Sequence, residues 1–266
     1  MVECLDRCKL FTLHVIHLAK MKIDTILSPQ ELPALAQLDL GGTTCVVFDI
    51  LRATSTFVTA LHHGAKEIIP VSEIAEAAAI RRQRPEVLLA GERNGVKICA
   101  AQSDGIDFDF GNSPREFTPE KVRGKTIVST TTNGTRALRA CAGANLILAS
   151  SFLNLSATAK FLNKLQPEEI LLVCAGTGDG VALEDVFAAG ALADLLADEL
   201  SDSAEVARQA FLRLKADFAA AIAGSRNGRH LLEIPDLRAD VPFCSQRDVF
   251  NLVAAMNADG CLRKIL

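Results

Sequence analysis

A chain of 266 residues with 49% apolar and 23% charged residues is long enough to bury a full core, as one large or two small domains. A formal net charge of -4 supplies no basic field for nucleic acid and no polybasic membrane patch, and the absence of Trp and Tyr leaves little for a base-stacking platform or an aromatic sugar-binding wall. The balance is that of a small soluble cytoplasmic enzyme with a small-molecule partner, whose apolar mass is Ala, Leu, Val and Ile.

Residues 1–20 read apart from the rest. The run 10–19 is apolar, but it is interrupted by His14 and His17 and is too short to span a bilayer, so neither a signal peptide nor a membrane span is expected. Cys4 and Cys8 lack a second Cys or His pair that would complete a metal knuckle. The alternation from Met21 makes a natural beginning. Residues 1–20 are therefore expected as an N-terminal extension and 21–266 as a single α/β domain.

From there the text alternates. Strands are expected over 23–27, 45–49, 67–71, 87–90, 126–129, 146–150 and 170–174, and near Val241. Helices are expected over 54–63, stopped by Gly64, over 72–82, capped by Ser72, and over 133–141, 154–165, 184–200, 204–223 and 247–256; 29–38 reads as a short helix or loop. Residues 96–124, rich in Gly, Asp and Pro, break the rhythm, and a loop of that length is expected as a lid or site wall. With no repeat and no Pro- or Ser-rich linker, the fold class is α/β, a three-layer α/β/α arrangement with a mostly parallel central sheet. Most of the cysteines lie in apolar runs such as Thr44-Cys45-Val46-Val47, as buried thiols in a reducing compartment do. Helix 186–200 is apolar around much of its circumference, which suits a buried central helix or a contact in a homo-oligomer.

Four stretches run from a buried strand into a polar loop and then a helix: the segment from Asp49 to Thr56, the turn Gly91-Glu92-Arg93-Asn94-Gly95, the loop Thr130-Thr131-Thr132-Asn133-Gly134-Thr135-Arg136, and residues 176–185. In a parallel sheet these loops share one carboxyl edge, where open α/β proteins bind ligands. Asp49, Glu92, Glu184 and Asp185 then offer oxygen ligands to a hard cation, and the scarcity of histidine favours Mg²⁺. Arg52, Arg93 and Arg136 suit anionic groups. The Thr130 to Arg136 loop can turn backbone N–H groups and a helix N-terminus toward one oxyanion.

Several phosphatase chemistries fail on the text. No Cys is followed by Arg at the spacing a thiolate loop needs, His62-His63-Gly64 lacks the arginine of histidine phosphatases, and there are too few histidines for a binuclear metal site. Asp49 opens a segment that imitates the Asp-x-Asp-x-Thr of haloacid-dehalogenase-type aspartyl phosphatases, but Leu51 stands where the second Asp would act as general acid.

The stretch Val47-Phe48-Asp49-Ile50-Leu51-Arg52-Ala53-Thr54-Ser55-Thr56, then Gly91-Glu92-Arg93, Phe108-Asp109-Phe110-Gly111-Asn112-Ser113-Pro114, the Thr130 to Thr135 loop, and Glu184-Asp185 with Ala189-Gly190 closely resemble the 2-phosphosulfolactate phosphatase family of coenzyme M biosynthesis. The resemblance implies a Mg²⁺-dependent phosphomonoester hydrolase acting on a small anionic phosphorylated acid that bears a carboxylate and a sulfonate. On that footing Asp49, Glu92 and Asp185 hold Mg²⁺. Arg52, Arg93 and Arg136 grip the anionic groups, while Asn112, Thr131 and Asn133 donate hydrogen bonds. Water or Asp49 attacks phosphorus, and an acid among Glu92, Asp109 and Glu184 protonates the leaving alkoxide. The alternatives are a dehalogenase-like phosphatase of another small phosphorylated acid and a non-catalytic binder of anionic metabolites.

Overall fold

The computed structural model describes residues 20–196 and 199–266; residues 1–19 of the extension expected at the N-terminus, Cys4 and Cys8 among them, lie outside the described residues. The strands are β1 (Lys22–Ile26), β2 (Thr43–Phe48), β3 (Glu67–Pro70), β4 (Leu88–Arg93), β5 (Val96–Lys97), β6 (Thr126–Thr130), β7 (Leu146–Ser150), β8 (Glu169–Cys174), β9 (Glu199–Leu200), β10 (Ala254–Met256) and β11 (Leu262–Lys264). They form one sheet in the order β5-β4-β6-β3-β11-β10-β7-β2-β8-β1-β9. The helices are α1 (Leu32–Leu35), α2 (Ala53–His62), α3 (Ile74–Gln83), α4 (Pro119–Val122), α5 (Gly134–Ala140), α6 (Leu155–Leu165), α7 (Leu183–Leu196), α8 (Asp202–Leu214), α9 (Phe218–Ala223), α10 (Arg226–Glu233) and α11 (Asp240–Cys244). None is long and apolar enough to cross a membrane.

Layering follows from the period of two along buried strands. Every residue of β2 is buried. Val46 and Phe48 face one core with Leu155 and Leu162 of α6, Phe187 of α7 and Phe211 of α8. Cys45 and Val47 face the other, with Leu35 of α1, Phe57 and Leu61 of α2, and Leu138 of α5. A smaller cluster packs Ala77 of α3 against Leu89 and Val128. Helix α2 is buried from Ala53 to Leu61, and Gly64, at φ +91°, ends it with a conformation that costs glycine nothing. Helix α7 is buried within the chain, where α8 approaches so closely that a Cβ on Gly190 would lie 2.0 Å from the Ala207 carbonyl oxygen.

Strands β7, β2, β8, β1 and β9 run parallel to one another, and so do β3, β6 and β4. Antiparallel pairings of β10 with β7, β10 with β11, and β11 with β3 join the groups, which therefore run in opposite senses. The four loops therefore leave two groups of strands of opposite sense rather than one parallel set, and they still meet, since Asn133 reaches the Ala175 carbonyl. Register sets the levels: Phe48 stands beside Cys174, so the chain leaves the sheet at Asp49 and Ala175 together, and Gly91 stands beside Thr130, so Glu92, still in β4 and paired with Lys97 of β5, lies level with the start of the loop after β6.

The C-terminal quarter departs most from expectation. Val241 lies in α11 rather than in a strand, and the helix expected over 247–256 is absent; its apolar end is β10, turned into β11 at Gly260. Leu252 to Ala255 contains good helix formers, but a buried slot in mid-sheet overrides weak helix propensity. The helix expected over 204–223 is interrupted by a 3-10 turn over Lys215–Asp217. Residues 96–124 form a packed wall with Phe108, Phe110 and Phe117 buried.

Candidate active site

Strand β2 delivers Asp49 to the point where the chain surfaces. Its Oδ1 accepts the Ala53 N–H at 2.9 Å, its carbonyl accepts the Thr54 N–H at 2.9 Å, and its own N–H donates to Thr54 Oγ1 at 3.0 Å, so the aspartate is locked onto the first turn of α2. A cis Leu51–Arg52 peptide lies between them. Arg52, 3% exposed, donates through Nη1 to Asp240 Oδ2 at 2.8 Å and through Nη2 to the Gly95 carbonyl at 2.9 Å. Asp240 is itself fully buried and accepts the Ser113 hydroxyl at 2.6 Å.

The loops after β4 and β6 are tied by Glu92. Its Oε1 accepts the Thr132 N–H at 2.9 Å and hydroxyl at 3.0 Å, and its Oε2 accepts the Gly95 N–H at 2.8 Å. Gly91 permits this closeness, since a Cβ there would lie 2.4 Å from the Thr130 carbonyl oxygen. Asn133 bridges the sheet groups: its Nδ2 donates to the Ala175 and Gly178 carbonyls at 2.8 and 2.9 Å. Asp185 joins the loops after β2 and β8, accepting the Ile50 N–H at 2.8 Å and the Gly176 N–H at 3.0 Å. Glu184, beside it in the first turn of α7, accepts from Asn227 Nδ2 at 2.6 Å through Oε1, while its buried Oε2 has no hydrogen-bond partner among the described residues.

These loops enclose a cavity of about 450 Å³. Of the residues expected in a site, Asp49, Arg52, Glu92, Asn112 and Asn133 line it, and Glu184 and Asp185 stand behind the lining residues Asn227, Thr177 and Gly176. Arg93 and Thr131 are adjacent but occupied elsewhere. Arg93 donates to the Glu92 carbonyl and to Thr130 Oγ1, and Thr131 exchanges hydrogen bonds with Thr135 to cap α5. Asp109 lies outside the cavity, accepting the Leu89 N–H and pairing with Arg81. Arg136 also lies outside it: Thr135, Ala137 and Leu138 take the buried face of α5 and leave Arg136 exposed. Asp240 and the α10 residues Arg226, Asn227 and His230 were not foreseen. The Ser225-Arg226-Asn227-Gly228 run reads as a turn, and only the Ser225 hydroxyl accepting the Gly228 N–H marks it as a helix start.

Electrostatically the site has too much negative charge for its depth. Burial, with the charges of Glu92 and Glu184, pushes the Asp49 carboxyl up to about 7 against the opposing effects of the Ala53 N–H and Arg52. Burial and then the charges of Asp49 and Glu184 raise Asp185 well above the carboxylate range. Such a site calls for a proton or a cation. Among the described residues no three Asp, Glu, His or Cys side chains form a closed metal cage. Mg²⁺ needs none, because it keeps several waters and takes one or two carboxylates, and the unpartnered Glu184 Oε2 with the Asp49 carboxylate is a donor set that fits it.

Residues 27–259, which include every residue just named, match the family model described as 2-phosphosulpholactate phosphatase. The chain belongs to that family. It is 40% identical over 236 residues to the "Probable 2-phosphosulfolactate phosphatase" of Caldanaerobacter subterraneus subsp. tengcongensis, covering 85% of this chain and 92% of that protein. Proteins of the same name from Thermotoga maritima and Clostridium acetobutylicum are 42% identical over 214 residues and 34% identical over 239, covering 80% and 88% of this chain and 88% and 96% of those proteins. Membership makes the chain a phosphatase, and every residue that lines the cavity lies within the matched region.

Proposed function

We propose that the chain is a Mg²⁺-dependent hydrolase that converts 2-phosphosulfolactate and water to 3-sulfolactate and phosphate, in the cytoplasm and as a step of coenzyme M biosynthesis. The observation that carries this reading is the surplus of buried carboxylate around Asp49 in a cavity whose loops belong to the family's matched region. A polyanionic substrate entering such a site would be repelled unless a cation came with it.

Asp49 Oδ2 and Glu184 Oε2 would hold Mg²⁺, with Glu92 and Asp185 adding charge from behind the loop N–H groups they accept. When bound, the ion supplies positive charge that screens the phosphoryl oxygens. The Ala53 N–H fixes Asp49 by Oδ1 and leaves Oδ2 for the cavity. Asp49, or a water that it deprotonates, attacks phosphorus, and the bond from phosphorus to the substrate's C2 oxygen breaks. Of the three acids expected to protonate the departing alkoxide, Asp109 lies outside the cavity, Glu184 Oε1 accepts from Asn227, and both oxygens of Glu92 accept loop donors, so the alkoxide takes its proton from Asp49 where Asp49 has deprotonated the water and from solvent where Asp49 attacks. Arg52, held by Asp240, presents its remaining N–H groups to the substrate's carboxylate.

The test is phosphate release from synthetic 2-phosphosulfolactate with Mg²⁺ and with chelator. Release that requires the metal and yields 3-sulfolactate is expected, and no release under either condition would overturn the assignment. Trapping distinguishes the two attacking groups: a quenched single turnover leaves a phospho-aspartate at Asp49, reducible by borohydride to homoserine, if Asp49 attacks, and leaves none if water does.

A further inference from the structure

Helix α10 crosses the mouth of the cavity. Its residues Arg226, Asn227, His230 and Leu231 recur at the spacing of one helical face, and all of them line the cavity. Asn227 anchors that face to one wall, and His230 lies close to the opposite one. Asn227 Nδ2 donates to Glu184 Oε1 and Thr177 Oγ1, both at 2.6 Å, while His230 lies against the turn that carries Glu92, where a Cβ on Gly95 would stand 3.8 Å from His230 Nε2.

The residues of this face differ in what they are free to do. Asn227 is engaged by Glu184 and Leu231 is buried in the core, but Arg226 and His230 are exposed at the mouth, and neither side chain makes a hydrogen bond or ion pair with any described residue. Deeper in the cavity Arg52 has given one N–H to Asp240 and another to the Gly95 carbonyl. The cavity is therefore divided by charge. Its floor gathers Asp49 and Glu92 with Glu184 and Asp185 behind them, where an anion can settle only with a cation, and its rim offers a guanidinium and an imidazole that need none.

We propose that Arg226 and His230 form the subsite for the substrate's sulfonate, so that these two residues set the preference for sulfonated over plain phosphorylated hydroxy acids. The proposal rests on the hydrolase reading above. A phosphoryl group drawn to the floor leaves the sulfonate, two carbons away from the ester oxygen, directed to the rim. A sulfonate carries a permanent charge on three acceptor oxygens, and the planar fork of Arg226 matches two of them. His230 supplies one further N–H donor.

The experiment is calorimetric titration of the Mg²⁺-loaded protein with 3-sulfolactate and with lactate, for wild type, Arg226→Met, Arg226→Lys and His230→Gln. Wild type should favour 3-sulfolactate by at least tenfold. Arg226→Met should cut that ratio by about tenfold to a hundredfold, the range of one or two charge-assisted hydrogen bonds, and Arg226→Lys should recover part of it. The ratio of kcat/KM for 2-phosphosulfolactate over 2-phospholactate should fall in parallel, mainly through KM. A wild type that does not distinguish the two ligands, or an Arg226→Met protein with an unchanged ratio, overturns the subsite; equal weakening of both ligands would assign Arg226 to the carboxylate instead. A wild type that releases phosphate from neither ester, yet loses its preference for 3-sulfolactate in Arg226→Met, would sink the hydrolase reading and leave the subsite standing.

Discussion

Replacing Asp49 with Asn should stabilise the metal-free protein while abolishing its activity. Asn keeps the Oδ1 acceptor for the Ala53 N–H and removes the charge that Glu92 and Glu184 oppose. The folded carboxyl holds its proton up to about pH 7, whereas the unfolded chain releases it near 3.8. Between those values the folded state binds more protons than the unfolded one, so stability declines as pH rises through the window and stays low above it. At 1.36 kcal/mol for each tenfold, the penalty is about 4 kcal/mol at pH 8 and roughly half of that or less at pH 5. The Asn variant escapes both. Urea unfolding in chelator at the two pH values measures the difference, with equal m-values showing that only stability has changed. The gain should be two to three times larger at pH 8, and millimolar Mg²⁺ should stabilise wild type much more than the variant. A variant no more stable than wild type at pH 8, or a gain that is the same at both pH values, would refute the account of Asp49 as a charge strained by its neighbours.

Asp240→Ala leaves the Arg52 guanidinium buried without its carboxylate and should cost about 3 to 5 kcal/mol, lowering Tm by roughly 10 °C in differential scanning calorimetry; a loss below about 1 kcal/mol would mean that the pair is not sealed from water. Asn227→Ala frees Glu184 Oε1 and should raise the Mg²⁺ concentration for half-maximal activity by about tenfold or more, read from a metal titration of phosphate release. Arg136→Ala should leave kcat/KM within about twofold, because its side chain is exposed on α5 and outside the cavity, and a loss of tenfold or more would put that arginine back among the substrate's partners.

Local order was legible where it depends on local spacing. The unbroken apolar run of β2, the stop at Gly64 after α2, and the strand-to-loop transitions at Asp49, Thr131 and Gly176 all carry their signals within a few residues, and the structure places an element boundary at or beside each, whereas β4 runs on past its expected end through Glu92 to Arg93. The hairpin β10–β11 did not, because Ala254 to Met256 suits a helix by composition and becomes a strand only through the slot left between β7 and β3.

The candidate site divides in the same way. That acids and arginines sit at strand ends is written in the chain, and with it the expectation of an anionic ligand and a hard cation. Which of them meet is not. Arg52 and Arg136 look alike on paper, each near the start of a helix that follows a buried strand. Arg52 is turned inward by Asp240, 188 residues further along the chain, while Arg136 is turned outward by the phase of α5. Likewise nothing near Ser225 announces that α10 will lie over the cavity, since that depends on Asn227 reaching Glu184 from a distance of 43 residues. Spacing of two and of 3.6 residues is enough to shape strands and helices, because it needs only neighbouring residues. The order of eleven strands, the opposed senses of their two parallel groups, and the side chains that meet across the loops are settled by packing between distant segments, and there the sequence holds the pieces without their arrangement.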